Sequence, residues 1–178
     1  MARIEKDFLG SKELPDDAYY GVQTLRGKEN FHITGLSMSR EPCFVRALGY
    51  VKKAAALANQ ELGVLDARRG EAIAAACERV IAGEMDDQFV TDFIQGGAGT
   101  STNMNANEVI ANLALESLGH RKGEYQHLSP NDHVNFGQST NDVYPTAFRL
   151  ALILRLESYV AELRRLQESL FAKGREFE

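Results

Sequence analysis

The clearest pattern of hydrophobic and polar positions lies at the end of the chain. Leu152, Leu156, Tyr159, Leu163, Leu166 and Leu170 are spaced 4, 3, 4, 3 and 4 residues apart, which is a heptad seam. It predicts one helix from about Asn141 to Glu178, roughly 57 Å long at 1.5 Å per residue. A stripe of that length exceeds what a body of this size can cover. It calls for partner helices from elsewhere in the protein or from other subunits, as a core helix of a bundle or, alternatively, as a two-stranded coiled coil. Gly174 and the lack of a C-cap signal are expected where a chain is cut inside an element.

Upstream, residues 1–18 read as irregular or short-stranded and end in the turn signal Pro15-Asp16-Asp17. A short helix is expected from Tyr20 to about Asn30. A stronger one starts at Pro42 and runs through Lys53-Ala54-Ala55-Ala56-Leu57-Ala58 to a stop at Gly63. The next spans about Asp66 to Ala82, with an acidic start and Gly83 behind it. After Gly96-Gly97-Ala98-Gly99-Thr100 comes a helix from about Ser101 to Leu118, closed by Gly119. The polar stretch 120–138, with Gly123, Pro130 and Gly137, reads as an extended loop. The fold class is therefore mainly α, with any strand confined to short pieces near the N-terminus or in 120–138. There is no internal repeat.

Composition narrows this picture. The 178 residues suit one domain, or one domain with a protruding element. With 44% hydrophobic and 25% charged residues the chain can bury a core. A net charge of -5 argues against nonspecific nucleic-acid binding, which needs a surplus of Lys and Arg. No run approaches the roughly 20 apolar residues of a membrane span, and the charged start lacks the apolar region of a signal peptide. Cys43 and Cys77 read as buried or half-buried free thiols in a reducing cytosol. His32, His120, His127 and His133 show no ligand spacing, so no metal site is expected.

Two segments are rich in small, neutral hydrogen-bonding residues at helix starts: Gln95 to Asn105, and Asn131 to Asp142. A helix N-terminus offers free N–H groups and a partial positive charge, so it attracts carboxylates. Glycines allow close approach, while Ser, Thr and Asn add directed donors. Two such corners facing one cavity would hold a dianionic acid without a metal. Taken alone, each segment also suits ordinary capping and tight turns. The nucleotide-loop reading of Gly96-Gly97-Ala98-Gly99 fails, because neither the GxGxxG spacing nor a Gly-Lys-Ser/Thr ending is present.

The complete strings GGAGTSTNMNANEVIAN and PNDHVNFGQSTNDVYPTA resemble two signature regions of the aspartase/fumarase superfamily. RIEKDFLGSKELPDDAYYGVQTLRGKENF and VKKAAALANQELG look like its aspartase branch. The resemblance runs along essentially the whole chain. Ala98, Ser101-Thr102, Ser129 and Ser139-Thr140-Asn141 side with aspartases rather than class II fumarases, whereas Phe136-Gly137 departs from both. It implies an N-terminal helical domain over 1–138 and, over 139–178, the truncated first helix of a central bundle. It also implies a cytoplasmic homotetramer of the full-length protein, with no cofactor, that eliminates ammonia reversibly from L-aspartate to give fumarate. By similarity, Thr100, Ser139, Thr140 and Asn141 bind the substrate, with Thr100 facing the other three. The catalytic base is expected beyond Glu178, so the isolated chain is expected to be inactive, and His133 is expected to be structural or solvated. The alternatives are a class II fumarase and a helical interaction module without activity.

Overall fold

The computed structural model describes residues 2–177. Strands β1 (Ala2–Asp7) and β2 (Gly10–Pro15) form an antiparallel hairpin, with Ala2 opposite Pro15 and Asp7 opposite Gly10. Leu14 is buried on its inner face. The Arg26 guanidinium bonds Asp7 through Nε (2.7 Å) and Nη2 (2.9 Å), tying the hairpin to the first helix. This pairing holds the Asp7 carboxyl below the usual carboxylate range.

Five α-helices follow: α1 (Val22–Asn30), α2 (Pro42–Glu61), α3 (Ala67–Ile81), α4 (Thr100–Ser117) and α5 (Thr140–Glu176). Their ends follow the sequence signals. Pro42 opens α2, Asp66 caps α3 by accepting the Arg69 N–H at 3.0 Å, and Gly63, Gly83 and Gly119 leave the helices with φ of +71°, +84° and +84°. The expected helix to Glu178 holds as far as Glu176, and Glu178 lies outside the described residues.

Helix α4 is the centre of the body. Every residue from Thr102 to Leu115 is buried, between α1, α3 and α5. A helix covered on all sides must satisfy its polar side chains internally; α4 does so for Asn105, Asn112 and Glu108 by tying loops to itself, while Asn103 Oδ1 and Asn107 Oδ1 are buried without a partner. Asn105 receives the Val90 N–H (2.9 Å) and donates to the Gln88 carbonyl (2.9 Å). Asn112 receives the Gly123 N–H (2.8 Å) and donates to the Tyr19 carbonyl (2.7 Å). Glu108 caps α1 from a distance. It accepts the N–H groups of Gly21, Gln23 and Thr24 at 2.9–3.0 Å and the Thr24 hydroxyl at 2.6 Å. A Cβ on Gly21 would lie 2.7 Å from that carboxyl carbon, so this cap requires glycine.

Helix α5 buries Val143, Ala147 and Ala151 and packs against α2 and α4. Beyond Ala151 it leaves the body, and Leu152, Leu156, Tyr159, Leu163, Leu166 and Leu170 are all exposed. One expectation is corrected. The stretch 120–138 is not extended throughout, because Pro130–Val134 forms a π-helical turn. Ser129 drives it. Its hydroxyl accepts the Asp132 N–H (3.1 Å), and its carbonyl accepts those of His133 (3.1 Å) and Val134 (3.3 Å). Cys77 is buried and Cys43 half-buried, both as free thiols, and burial pushes the Cys77 thiol up to about 12. No helix among the described residues is long and apolar enough to cross a membrane.

Candidate active site

The corner before α4 turns through three successive left-handed residues, Gly97 (φ +72°), Ala98 (φ +52°) and Gly99 (φ +95°). Ala98 is the one non-glycine in that region among the described residues, and such strain clusters at functional sites. At Gly99 a Cβ would stand 2.2 Å from the Tyr144 ring, so glycine here lets α5 approach the corner. Thr100 opens α4, exposed, its hydroxyl donating to the Gly97 carbonyl at 2.6 Å.

The facing corner opens α5. Ser139 is the N-cap, its hydroxyl accepting the Asn141 N–H at 3.2 Å. Thr140 is half-buried and accepts from Asn103 Nδ2, in the first turn of α4, at 3.1 Å. Asn141 is exposed and lines an open cleft of about 490 Å³ together with Gln95, Ala98, Gly99, Tyr144 and Pro145. Pro145 has no N–H, so the Asn141 carbonyl lacks its helical donor. Asn141 alone of the four predicted residues lines that cleft. Thr140 is tied to the α4 corner through Asn103, and Thr100 and Ser139 are engaged with their own corners.

Beneath the second corner lies a network that the sequence reading missed. Lys52 of α2 is fully buried. Its ammonium donates to Asn135 Oδ1 (2.9 Å) and Gln138 Oε1 (3.0 Å), with no carboxylate in salt-bridge range among the described residues. Burial pulls it from 10.5 to about 7. Asn135 Oδ1 also receives Asn103 Nδ2 at 3.2 Å, so the amides of Asn135 and Asn103 together join the lysine, α4 and α5. A signal was present: Lys52 falls on the stripe Phe44, Leu48, Lys52, Ala56, whose other members are core, whereas Lys53 points outward to Glu78.

His133 Nδ1 accepts the Ser129 N–H at 2.8 Å, and burial pulls its pKa down, reinforced by the charge of Arg69. It is a neutral structural group within the π-helical turn. The histidine spacing predicts no metal cluster, yet the turn after α4 folds His120, Glu124 and His127 together, with ligand atoms within 4.8 Å of one another.

A helical body with two capped corners closing on one cleft, and a long helix leaving it, is the architecture of the aspartase/fumarase fold. Residues 10–178 match the family described as Lyase, and the chain belongs to it. Aspartate ammonia-lyase of Pseudomonas aeruginosa is 57% identical over 176 residues, covering 99% of this chain and 37% of that protein. The solved fumarate lyase:delta crystallin of Brucella melitensis is 55% identical with a TM-score of 0.95, over 98% of this chain and 39% of that one. Class II fumarase of Schistosoma mansoni is 39% identical with a TM-score of 0.78, over 85% and 32%. The chain spans 37% of the length of the curated relatives it matches, corresponding to their N-terminal part.

Proposed function

We propose that the protein to which this chain belongs is an aspartate ammonia-lyase. The observation that carries the reading is the hydrogen bond from Asn103 to Thr140, which couples the N-termini of α4 and α5 beside one cleft. Identity of 57% to an aspartate ammonia-lyase, against 39% to a class II fumarase, favours elimination of ammonia over hydration.

In this elimination a base removes a proton from the carbon beside the β-carboxylate. The electron pair moves into that carboxylate, and the carbon–nitrogen bond then breaks to release ammonia. The carboxylate passes through a doubly negative form, so donors aimed at its oxygens supply the main stabilisation, typically about 3 kcal/mol each. In this reading Ser139, Thr140 and Asn141 supply such donors at the start of α5, and Thr100 adds a hydroxyl from the facing corner when it turns from the Gly97 carbonyl to the substrate. Lys52 beneath Asn135, in its protonated form, adds a field of the right sign for a dianion.

His133 is not assigned the base, because its Nδ1 is occupied in accepting the Ser129 N–H and holds the π-helical turn together. The base belongs to a segment outside this chain, and the chain alone is inactive. In this reading residues 1–138 form the N-terminal domain and 139–178 the first helix of a central bundle. The exposed seam meets other subunits, in a cytoplasmic homotetramer that needs no cofactor. The test is an assay of the full-length gene product. Fumarate and ammonia released in equal amounts from L-aspartate support the reading. Malate formed from fumarate, with aspartate untouched, replaces it with a class II fumarase.

A further inference from the structure

The end of α4 carries three ligand-type side chains that the elimination does not use. His120 follows Gly119, and its N–H donates to the Leu115 carbonyl (2.9 Å), which pins it to the helix end. Two tight turns follow, with Glu124 N–H on the Arg121 carbonyl (3.2 Å) and His127 N–H on the Glu124 carbonyl (3.0 Å). They bring the His120 and His127 rings into a stack with centroids 3.9 Å apart and planes 8° apart. His120 Nδ1 stands 3.7 Å from Glu124 Oε2. That carboxylate is held by the Arg121 N–H (3.0 Å), and the His127 carbonyl is held by Arg69 Nε of α3 (2.7 Å). Lys122, the cation next in sequence, lies over the Tyr19 ring at 4.2 Å.

We propose that His120, Glu124 and His127 form a surface site for a borderline divalent cation of the zinc type. Two imidazoles and a carboxylate suit such ions, and water can fill the remaining positions. Metal–nitrogen and metal–oxygen bonds of roughly 2.0–2.2 Å put tetrahedral donors about 3.3 Å apart. Donors now within 4.8 Å must close by up to about 1.5 Å, and the stacked rings must splay apart so that both lone pairs meet the ion; none of the three side chains is buried, so rotation of the side chains allows this. The site is at the C-terminal end of α4 and the candidate active site at its N-terminal end, about 27 Å apart along an 18-residue helix. The cation therefore lies outside this chain's candidate cleft. It joins the end of α4 to the turn at 124–127 and stabilises that end of the body.

The test is calorimetric titration of the 178-residue chain with zinc chloride, paired with thermal melts with and without the metal. One zinc per chain and a raised Tm are expected. His120→Ala, His127→Ala and Glu124→Gln should each weaken binding by about tenfold or more and remove the Tm rise, and His32→Ala should change neither. Circular dichroism of each variant checks that the helices persist. The absence of stoichiometric binding overturns the proposal. So does binding retained by the folded His120→Ala/His127→Ala double variant, or lost in His32→Ala.

Discussion

The ammonium of Lys52 lies 2.9 Å from the amide oxygen of Asn135, four residues before the cap of α5, with no carboxylate in salt-bridge range among the described residues. A buried lysine held only by neutral amides carries its charge at and below about pH 7 and is neutral above it. Holding the proton there has a cost, because the folded state binds it less tightly than the unfolded chain does.

That cost has a pH signature. The unfolded chain keeps the lysine proton up to about 10.5, and the folded chain gives it up near 7. Between those values the unfolded state binds more protons, so this group makes stability rise with pH. Urea titrations of the chain from pH 7 to 9.5 should show the unfolding free energy of the wild type gaining on that of Lys52→Met. A constant difference across the range would place the lysine pKa near its ordinary value.

The four residues of the proposed substrate site are separable by kinetics. In the full-length protein, Thr100→Ala, Ser139→Ala, Thr140→Ala and Asn141→Ala should each lower kcat/KM for aspartate by about 10- to 1,000-fold. Ser139→Ala should also cost about 1 kcal/mol of stability as a lost cap. Steady-state assays with denaturation curves check both, and unchanged kinetics in all four variants would remove the site.

Gly99→Ala places a methyl group into the Tyr144 ring at a φ of +95°. It should destabilise the chain by about 2–4 kcal/mol, with strain and overpacking adding together. Combining it with Tyr144→Ala should cost less than the sum of the two single changes, because the clash disappears. Denaturant midpoints of the two single variants and the double variant provide the measurement.

Glu108→Gln leaves donors of Gly21 and Thr24 facing an amide that cannot accept them all. A loss of about 1–3 kcal/mol is expected. Hydrogen exchange should rise first in α1, whose N-terminus this carboxylate holds.

Much of the fold was legible in the sequence because its signals are local. Pro42, Asp66 and three exit glycines set helix ends through their own backbone geometry, and the leucine heptad marked α5. What stayed hidden depends on tertiary placement. The π-helical turn arises when the carbonyl of Ser129 captures two successive N–H groups. The role of Lys52 depends on Asn135 and Gln138, which lie more than 80 residues away. The partners of Asn105 and Asn112 in α4 are loop backbone groups that only the folded chain brings to them. His120, Glu124 and His127 have the i, i+4, i+7 spacing of a helix face, but no helix runs there, and two tight turns bring them together instead. Thr140 and Asn141 were legible as a helix start, but their facing partner, Asn103, was not.

The bare length of α5 bears on the order in which this molecule can be made. Past Arg155, which still reaches Glu41 at 3.1 Å, residues 156–176 extend roughly 32 Å with exposed leucines along them. Within this chain, this segment is held mainly by short-range pairs such as Arg165 with Glu162 and Lys173 with Glu176, each worth only a few tenths of a kcal/mol. Residues 2–151 can complete their core as a first-order process, whereas the far end of α5 acquires a core only on meeting another surface. Its ordering is therefore second-order in protein when that surface is another molecule. A newly made chain then carries an open leucine edge for a time set by its own concentration.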